Sequence, residues 1–313
     1  MDDRPCAIFL MGPTASGKTG AALALAERFP VQLINVDSAQ IYRGMDIGTA
    51  KPEPAVREQY PHRLMDILDP VERYSAAQFR DDALQEMQEI TASGQVPLLV
   101  GGTGLYFRAL ERGLAELPGA DPEIRQEIDA AATERGWPAL HAELSRLDPE
   151  SATRISPNDP QRIQRALEVY RLTGEPLSAL WQTAEPAEFP YRVLKLALAP
   201  VDRAELHRRI EARFAGMMVR GLLDEVRTLR ARGDLSAGLP SMRSVGYRQL
   251  WEYLAGECEL DEAVRRSIVA SRRYAKRQMT WFRAEPDLVW LDSAAPDFER
   301  RLCDAAAAFL HGC

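Results

Sequence analysis

Short apolar runs and amphipathic stretches alternate along the first ~115 residues. Ala7-Ile8-Phe9-Leu10-Met11, Val31-Gln32-Leu33-Ile34-Asn35-Val36 and Val96-Pro97-Leu98-Leu99-Val100 are nearly continuous in apolar side chains. That suits strands buried on both faces, as in a parallel sheet. Between them, 20–29 is helix-forming with Ala22, Leu23 and Ala26 on one face, and a helix over 75–93 opens on Ser75 as a cap and closes near Gly94. Segment 44–62 carries three Pro and two Gly and reads as an irregular loop.

The periodicity changes at Leu117-Pro118-Gly119-Ala120-Asp121-Pro122, and from there to about 185 it is helical throughout. Leu140, Leu144 and Leu147 fall at helical spacing, and Asn158-Asp159-Pro160 start a helix whose Ile163, Leu167 and Tyr170 form an apolar stripe. A strand resumes at 192–198, followed by helices at 202–232, 245–255 and 261–284 and a last strand at 288–291. Alternating strands and helices predict an α/β fold, a parallel sheet flanked by helices, interrupted by an all-helical insertion. The expected division is 1–116 for the first part of the sheet domain, 117–188 for the insertion and 189–313 for the second part.

Composition narrows the field. At 313 residues, 46% hydrophobic and 27% charged, the chain is an ordinary globular one, and its longest apolar runs are far too short to cross a bilayer. The start, Met1-Asp2-Asp3-Arg4-Pro5, is acidic where a secretory signal is basic, so a cytoplasmic location is expected. Four Cys and four His are scattered without C-x-x-C or paired-His spacing, which argues against a zinc site and against a disulfide framework. Net charge is −7, yet 201–290 holds seventeen Lys and Arg against thirteen Asp and Glu. That segment is +4 on a remainder of −11, so a local basic face can still meet phosphates.

The chemistry begins at Gly12-Pro13-Thr14-Ala15-Ser16-Gly17-Lys18-Thr19, a complete G-x-x-x-x-G-K-[ST] loop between a strand and a helix. Its glycines let backbone N–H groups curl around an oxyanion at the positive end of the following helix. Lys18 would reach the terminal phosphate and the Thr19 hydroxyl a magnesium ion. Phosphate-loop hydrolases usually end a second strand in an acid. Here 96–100 runs into Gly101-Gly102-Thr103-Gly104 instead, and the acid follows 31–36 as Asp37. One carboxylate beside a phosphate loop suits group transfer more than hydrolysis. Asp37 could serve as base, metal ligand or helix cap, and Thr103 could bind a phosphate oxygen.

Longer stretches carry a resemblance. Asp37-Ser38-Ala39-Gln40-Ile41-Tyr42, Asp46-Ile47-Gly48-Thr49-Ala50-Lys51-Pro52 and Gly101-Gly102-Thr103-Gly104-Leu105-Tyr106 follow the phosphate loop in order. Then come Asn158–Arg162 with Arg165–Glu168, Arg209-Ile210 with Arg213-Phe214, Gly221-Leu222 with Glu225-Val226, Ser244–Gln249, Tyr274–Gln278 and Thr280–Arg283. Together these closely resemble the bacterial tRNA dimethylallyltransferase family, from residue 7 to residue 283. Met279 departs mildly, since a polar or basic residue is expected there.

The resemblance implies a P-loop NTPase-like fold and, as donor, dimethylallyl diphosphate held by Gly12–Thr19. It implies Asp37 as general base, with Thr103 and Arg213 joining Lys18 and Thr19 around the leaving diphosphate, and magnesium on Thr19. The acceptor would be N6 of the adenosine beside the anticodon, in a monomeric enzyme whose other partner is the anticodon stem-loop of tRNA. The family's tRNA contacts map onto Asp37, Ser38, Ala39 and Gln40; onto Gln161, Arg162, Ile163, Gln164 and Arg165; onto Met242, Arg243, Ser244, Val245, Gly246 and Tyr247; and onto Lys276, Arg277, Gln278, Trp281 and Arg283. Trp281 and Phe282 suit a core better than a stacking platform. A small-molecule kinase, or an enzyme prenylating free adenine nucleotide, would share the loop but has less use for a helical insertion and a basic C-terminal helix.

Overall fold

The structure is a computed structural model and describes residues 3–115, 117–183 and 188–312. In chain order the elements are β1 (Cys6–Met11), α1 (Lys18–Arg28), β2 (Val31–Val36), α2 (Pro54–Gln59), β3 (His62–Arg63), α3 (Ala76–Ala92), β4 (Val96–Gly101) and α4 (Gly104–Arg112). Five helices follow: α5 (Pro122–Arg135), α6 (Trp137–Leu147), α7 (Pro149–Arg154), α8 (Pro160–Thr173) and α9 (Leu177–Thr183). The chain then forms β5 (Arg192–Ala199), α10 (Arg203–Val219), α11 (Leu222–Ala231), α12 (Tyr247–Leu254), α13 (Leu260–Arg283), β6 (Leu288–Asp292) and α14 (Phe298–Leu310). Two compact units result, one of 1–111 with 189–313 and one of 112–188.

The six strands form one parallel sheet in the order β3-β2-β4-β1-β5-β6. All six residues of β1 are buried, which explains its unbroken apolar sequence. Its side chains alternate between two cores. Ala7, Phe9 and Met11 pack with Phe79, Met87 and Phe107 from α3 and α4, while Ile8 and Leu10 pack with Ala21, Leu25, Leu302 and Ala306 from α1 and α14. Each fully buried Leu or Phe contributes roughly 1.5–3 kcal/mol of transfer free energy. A third cluster joins Phe214, Leu222, Val226, Tyr247 and Leu250 to Ile41, Tyr42 and Met45.

Local signals explain most element boundaries. Ser75 and Gln78 complete a reciprocal capping box on α3, with Gln78 N donating to Ser75 Oγ at 3.1 Å. Asp159 caps α8 through Arg162 N at 3.2 Å. Three expectations change. The stretch 202–232 is two helices, because Gly221 sits at φ 95° and starts a new one. Segment 44–62 is not wholly irregular, since Pro54 at the first turn of α2 and the edge strand β3 fall inside it. Cys6 is disulfide-bonded, which scattered cysteines do not signal, whereas Cys258 and Cys303 are free thiols.

The insertion has its own core, built from Ile128, Leu140, Leu144, Ile163, Leu167 and Leu177. At its centre the fully buried Glu168 accepts from Arg125 Nε at 2.7 Å, Arg165 Nη1 at 2.8 Å and Asp121 N at 2.9 Å. Those partners hold the Glu168 carboxyl below its ordinary range against the opposing effect of burial. Among the described residues, no helix is long and apolar enough to cross a membrane.

Candidate active site

The order of the sheet creates the site. The chain leaves β1 toward β2 on one side of the sheet, whereas β4 leads past β1 to β5 on the other, and a crevice opens past the carboxyl ends of these central strands. The loop after β1 is the phosphate loop, the turn after β2 carries Asp37, and β4 ends in Gly101 with Gly102 and Thr103 in the turn after it. Close approach explains the glycines: a Cβ on Gly101 would overlap the Val36 carbonyl, and one on Gly102 the Gln278 amide. The resulting cleft has a volume of about 620 Å³. Thr14–Thr19, Asp37–Gln40 and Gly48–Ala50 line one part, and Arg213, Arg243, Ser244, Val245, Tyr274 and Arg277 another, with apolar wall from Ile210, Phe214 and Met217.

The phosphate loop is shaped for an anion. Gly17 adopts φ 94° at the start of α1, and no side chain caps that helix, so its first-turn N–H groups have no intrahelical acceptor. The Ser16 hydroxyl is fully buried and has no hydrogen-bond partner among the described residues. Lys18 Nζ folds back onto its own loop, donating to Gly12 O and Pro13 O at 2.8 Å each. Burial pulls the Lys18 ammonium down to about 7, with Asp37 opposing the shift and Arg213 adding to it. Burial also lowers the Arg213 guanidinium, again opposed by Asp37.

Asp37 is not a helix cap. Its Oδ1 accepts from Ala39 N at 2.9 Å in a tight turn, and Oδ2 makes no hydrogen bond among the described residues. Asn35 fixes the turn from below, its Oδ1 accepting from Asp37 N at 3.2 Å and its amide donating to Leu64 O at 3.0 Å. Thr103 Oγ1 accepts from Ser38 N at 3.1 Å, so the turns after β2 and β4 are tied together. The phenols of Tyr106 and Tyr274 are pushed up, mainly by burial and further by the nearby Asp37 carboxylate. They are neutral groups beside an acceptor.

The structure redistributes the expected tRNA contacts. Ser38, Ala39, Gln40, Arg243, Ser244, Val245 and Arg277 line the cleft, and Lys276 and Arg283 are exposed on α13. Gly246 is buried at φ 93° where α12 begins. Met242 and Tyr247 are buried in the third core and Ile163 in the insertion core, so these three side chains support a surface instead of forming it. In the insertion, Arg162 pairs with Asp159, Gln164 donates to Asp129 at 2.6 Å, Arg165 is committed to Glu168, and Gln161 is exposed. Gln278 is 5% exposed: its Oε1 accepts from Thr14 N and its Nε2 donates to Gly102 O, both at 2.9 Å. It braces the phosphate loop against the turn after β4. Trp281 is half-buried against Gly104, and Phe282 lies in the core. Tyr274, Thr49 and Ala50 on the cleft, and Glu225 behind it, lie in motifs visible in the sequence, but a motif does not say which way a side chain or carbonyl faces.

A parallel sheet with an anion cradle and a poised carboxylate at its carboxyl edge defines a phosphate-loop α/β enzyme of the group-transfer kind. Residues 40–285 match the IPP transferase family, and the chain belongs to it. It is 59% identical over 288 residues to a tRNA dimethylallyltransferase from Thioalkalivibrio sulfidiphilus, covering 92% of this chain and 90% of that one. The full-length tRNA isopentenylpyrophosphate transferase of Bacillus halodurans superposes with a TM-score of 0.72 at 38% identity, covering 99% of this chain and 96% of that one. A eukaryotic dimethylallyltransferase acting on tRNA gives a TM-score of 0.83 at 25% identity, over 98% and 80% of the respective chains.

Proposed function

We propose that this chain transfers the dimethylallyl group of dimethylallyl diphosphate to tRNA, at N6 of the adenosine at position 37 beside the anticodon, releasing diphosphate. The observation carrying this reading is one cleft that holds both an uncapped phosphate loop and the Asp37 carboxylate with a spare oxygen. The N6 lone pair is delocalised into the ring, so attack needs an electrophile already losing its leaving group. As N6 bonds to the first carbon of the prenyl group, the carbon–oxygen bond breaks and its electron pair goes to diphosphate. Asp37 accepts the N6 proton. Lys18, Arg213 and the first-turn N–H groups of α1 meet the charge growing on the diphosphate, and Thr103 adds its hydroxyl. The target base leaves its stack to enter the cleft, where Gln40, Arg243, Ser244 and Val245 stand, while Lys276, Arg277 and Arg283 offer cations to the RNA backbone.

Magnesium fits the donor set here. The Thr19 hydroxyl on the cleft wall is a hard oxygen, and Mg²⁺ takes its remaining ligands readily from phosphate and water. It needs no acidic cluster, and none of three or more metal-binding residues exists among the described residues. When bound, the ion neutralises phosphate charge.

Labelled dimethylallyl diphosphate or ATP, each paired with unmodified tRNA or AMP, tests the reading. Product is expected only from dimethylallyl diphosphate with tRNA. Prenylated AMP, or phosphate transfer from ATP, would overturn it.

A further inference from the structure

The segment 46–51 borders the cleft, yet nothing in it is a catalytic group. What holds it is a carboxylate from elsewhere. Glu225, in the first turn of α11, accepts from three consecutive backbone N–H groups: Asp46 and Ile47 on Oε2 at 2.9 and 2.7 Å, and Gly48 on Oε1 at 3.0 Å. Tyr247 OH donates to the same Oε1 at 2.5 Å. Consecutive N–H groups converging on one point form an anion-binding concavity. Here the protein fills that concavity with its own side chain. The Tyr247 ring closes it from above, since a Cβ on Gly48 would overlap that ring. On the far side Lys51, its side chain wholly buried, donates to Tyr42 O at 2.6 Å and pairs with Asp46 and Asp66.

With its N–H groups drawn toward Glu225, the segment presents carbonyls to the cleft residues. Gln40 Nε2 donates to Thr49 O at 3.1 Å and to Ala50 O at 3.3 Å, and Arg213 Nη2 reaches Thr49 O at 3.5 Å. Two donations from Nε2 satisfy the amine end of Gln40 and leave Oε1 as its acceptor. We propose that Glu225, with Tyr247, is a positioning residue for the reaction: by anchoring the backbone of 46–48 it sets the Thr49 and Ala50 carbonyls, and through them the orientation of Gln40 and, more weakly, of Arg213. Glu225 touches no reacting atom. This role rests on the reading of the cleft as the site of prenyl transfer to tRNA.

Glu225→Gln keeps the shape but turns an amine toward N–H groups, so part of the anchor is lost. A displacement of about 1 Å at an orienting group can cost up to about a hundredfold in rate. The expected result is a fall in kcat/KM for tRNA of between about tenfold and a hundredfold, with a smaller fall for Tyr247→Phe, which keeps the ring over Gly48. The decisive measurement is a double-mutant cycle of Glu225→Gln with Gln40→Ala, assayed well below the melting temperature of each variant. If Glu225 acts through Gln40, its substitution costs less than about threefold once Gln40 is gone. Additive effects would overturn the proposal, as would a lowered melting temperature with unchanged kcat/KM at permissive temperature. Failure of the unaltered protein to prenylate tRNA would instead overturn the function reading.

Discussion

Asp37 and Lys18 divide the chemistry of the cleft at the level of single side chains. In the proposed reaction the spare oxygen of Asp37 takes the N6 proton, so Asp37→Ala should lower kcat by ~10²–10⁴ while donor affinity stays within a few-fold. Equilibrium binding beside single-turnover kinetics separates the two. Lost donor affinity with normal turnover would make Asp37 a metal ligand instead. Lys18 gives a pH signature. Its ammonium in the free protein titrates near 7, well below the ordinary lysine value, so above that pH the group is mostly neutral and donor binding must take up a proton. Donor affinity should therefore fall from pH 7.5 to 9, approaching tenfold per pH unit, and be level well below 7 as far as Lys18 is concerned. Calorimetry in buffers of different ionisation enthalpy should detect the proton taken up, and Lys18→Ala should abolish it. An unchanged affinity across that range would place the Lys18 charge elsewhere in the cycle.

Among the elements, α13 has two duties. Lys276 and Arg277 are exposed, Arg277 at the cleft, while Gln278 is buried, holding Thr14 N and Gly102 O. Gln278→Met preserves volume and removes both hydrogen bonds, each worth about 1 kcal/mol and more where a buried partner is left bare. Its expected effect is weaker donor binding with tRNA affinity unchanged, read by titrating each substrate alone; weaker tRNA binding alone would restore Gln278 as a contact. Periodicity made the strands and most helices legible, because burial on two faces leaves an unbroken apolar run and burial on one leaves a stripe. It could not expose the break at Gly221, whose flanks are both amphipathic, nor the two-residue β3, too short to carry a period. The phosphate loop and Asp37 were readable as motifs. That Ile163, Met242 and Tyr247 face inward was not, because a matched motif fixes a residue's place in the chain and leaves its direction open.

For the molecule as a whole, charge is the quantity that must be reconciled with an RNA partner. The protein is −7 overall, yet 201–290 is positive, and most of its arginines are already paired within the fold, such as Arg265 and Arg266 with Glu262. Binding should then depend on few cations and show a shallow log–log salt slope, so that losing one of them is measurable. Arg277→Glu should weaken tRNA binding and reduce the log–log salt slope by roughly one unit, without loss of stability. Arg165→Ala should behave oppositely. It strips one of two arginines from the buried Glu168, which keeps Arg125 and Asp121 N, and costs roughly 1.5–3 kcal/mol of folding stability in the insertion. Denaturant unfolding alongside filter binding at several salt concentrations distinguishes the two outcomes. Equal salt slopes for Arg277→Glu and the parent protein would leave that arginine a solvated surface group.

The brace between Thr14 and Gln278 joins residues 264 positions apart. On a ribosome the phosphate loop is therefore made long before its support. A nascent chain that has emerged only through β4 carries the whole loop without the residue that holds it, and β1 still lacks its β5 neighbour. The motif most visible in the sequence is thus braced only once α13 has been made, and under the reading proposed above a chain still lacking α13 would grip its donor less firmly.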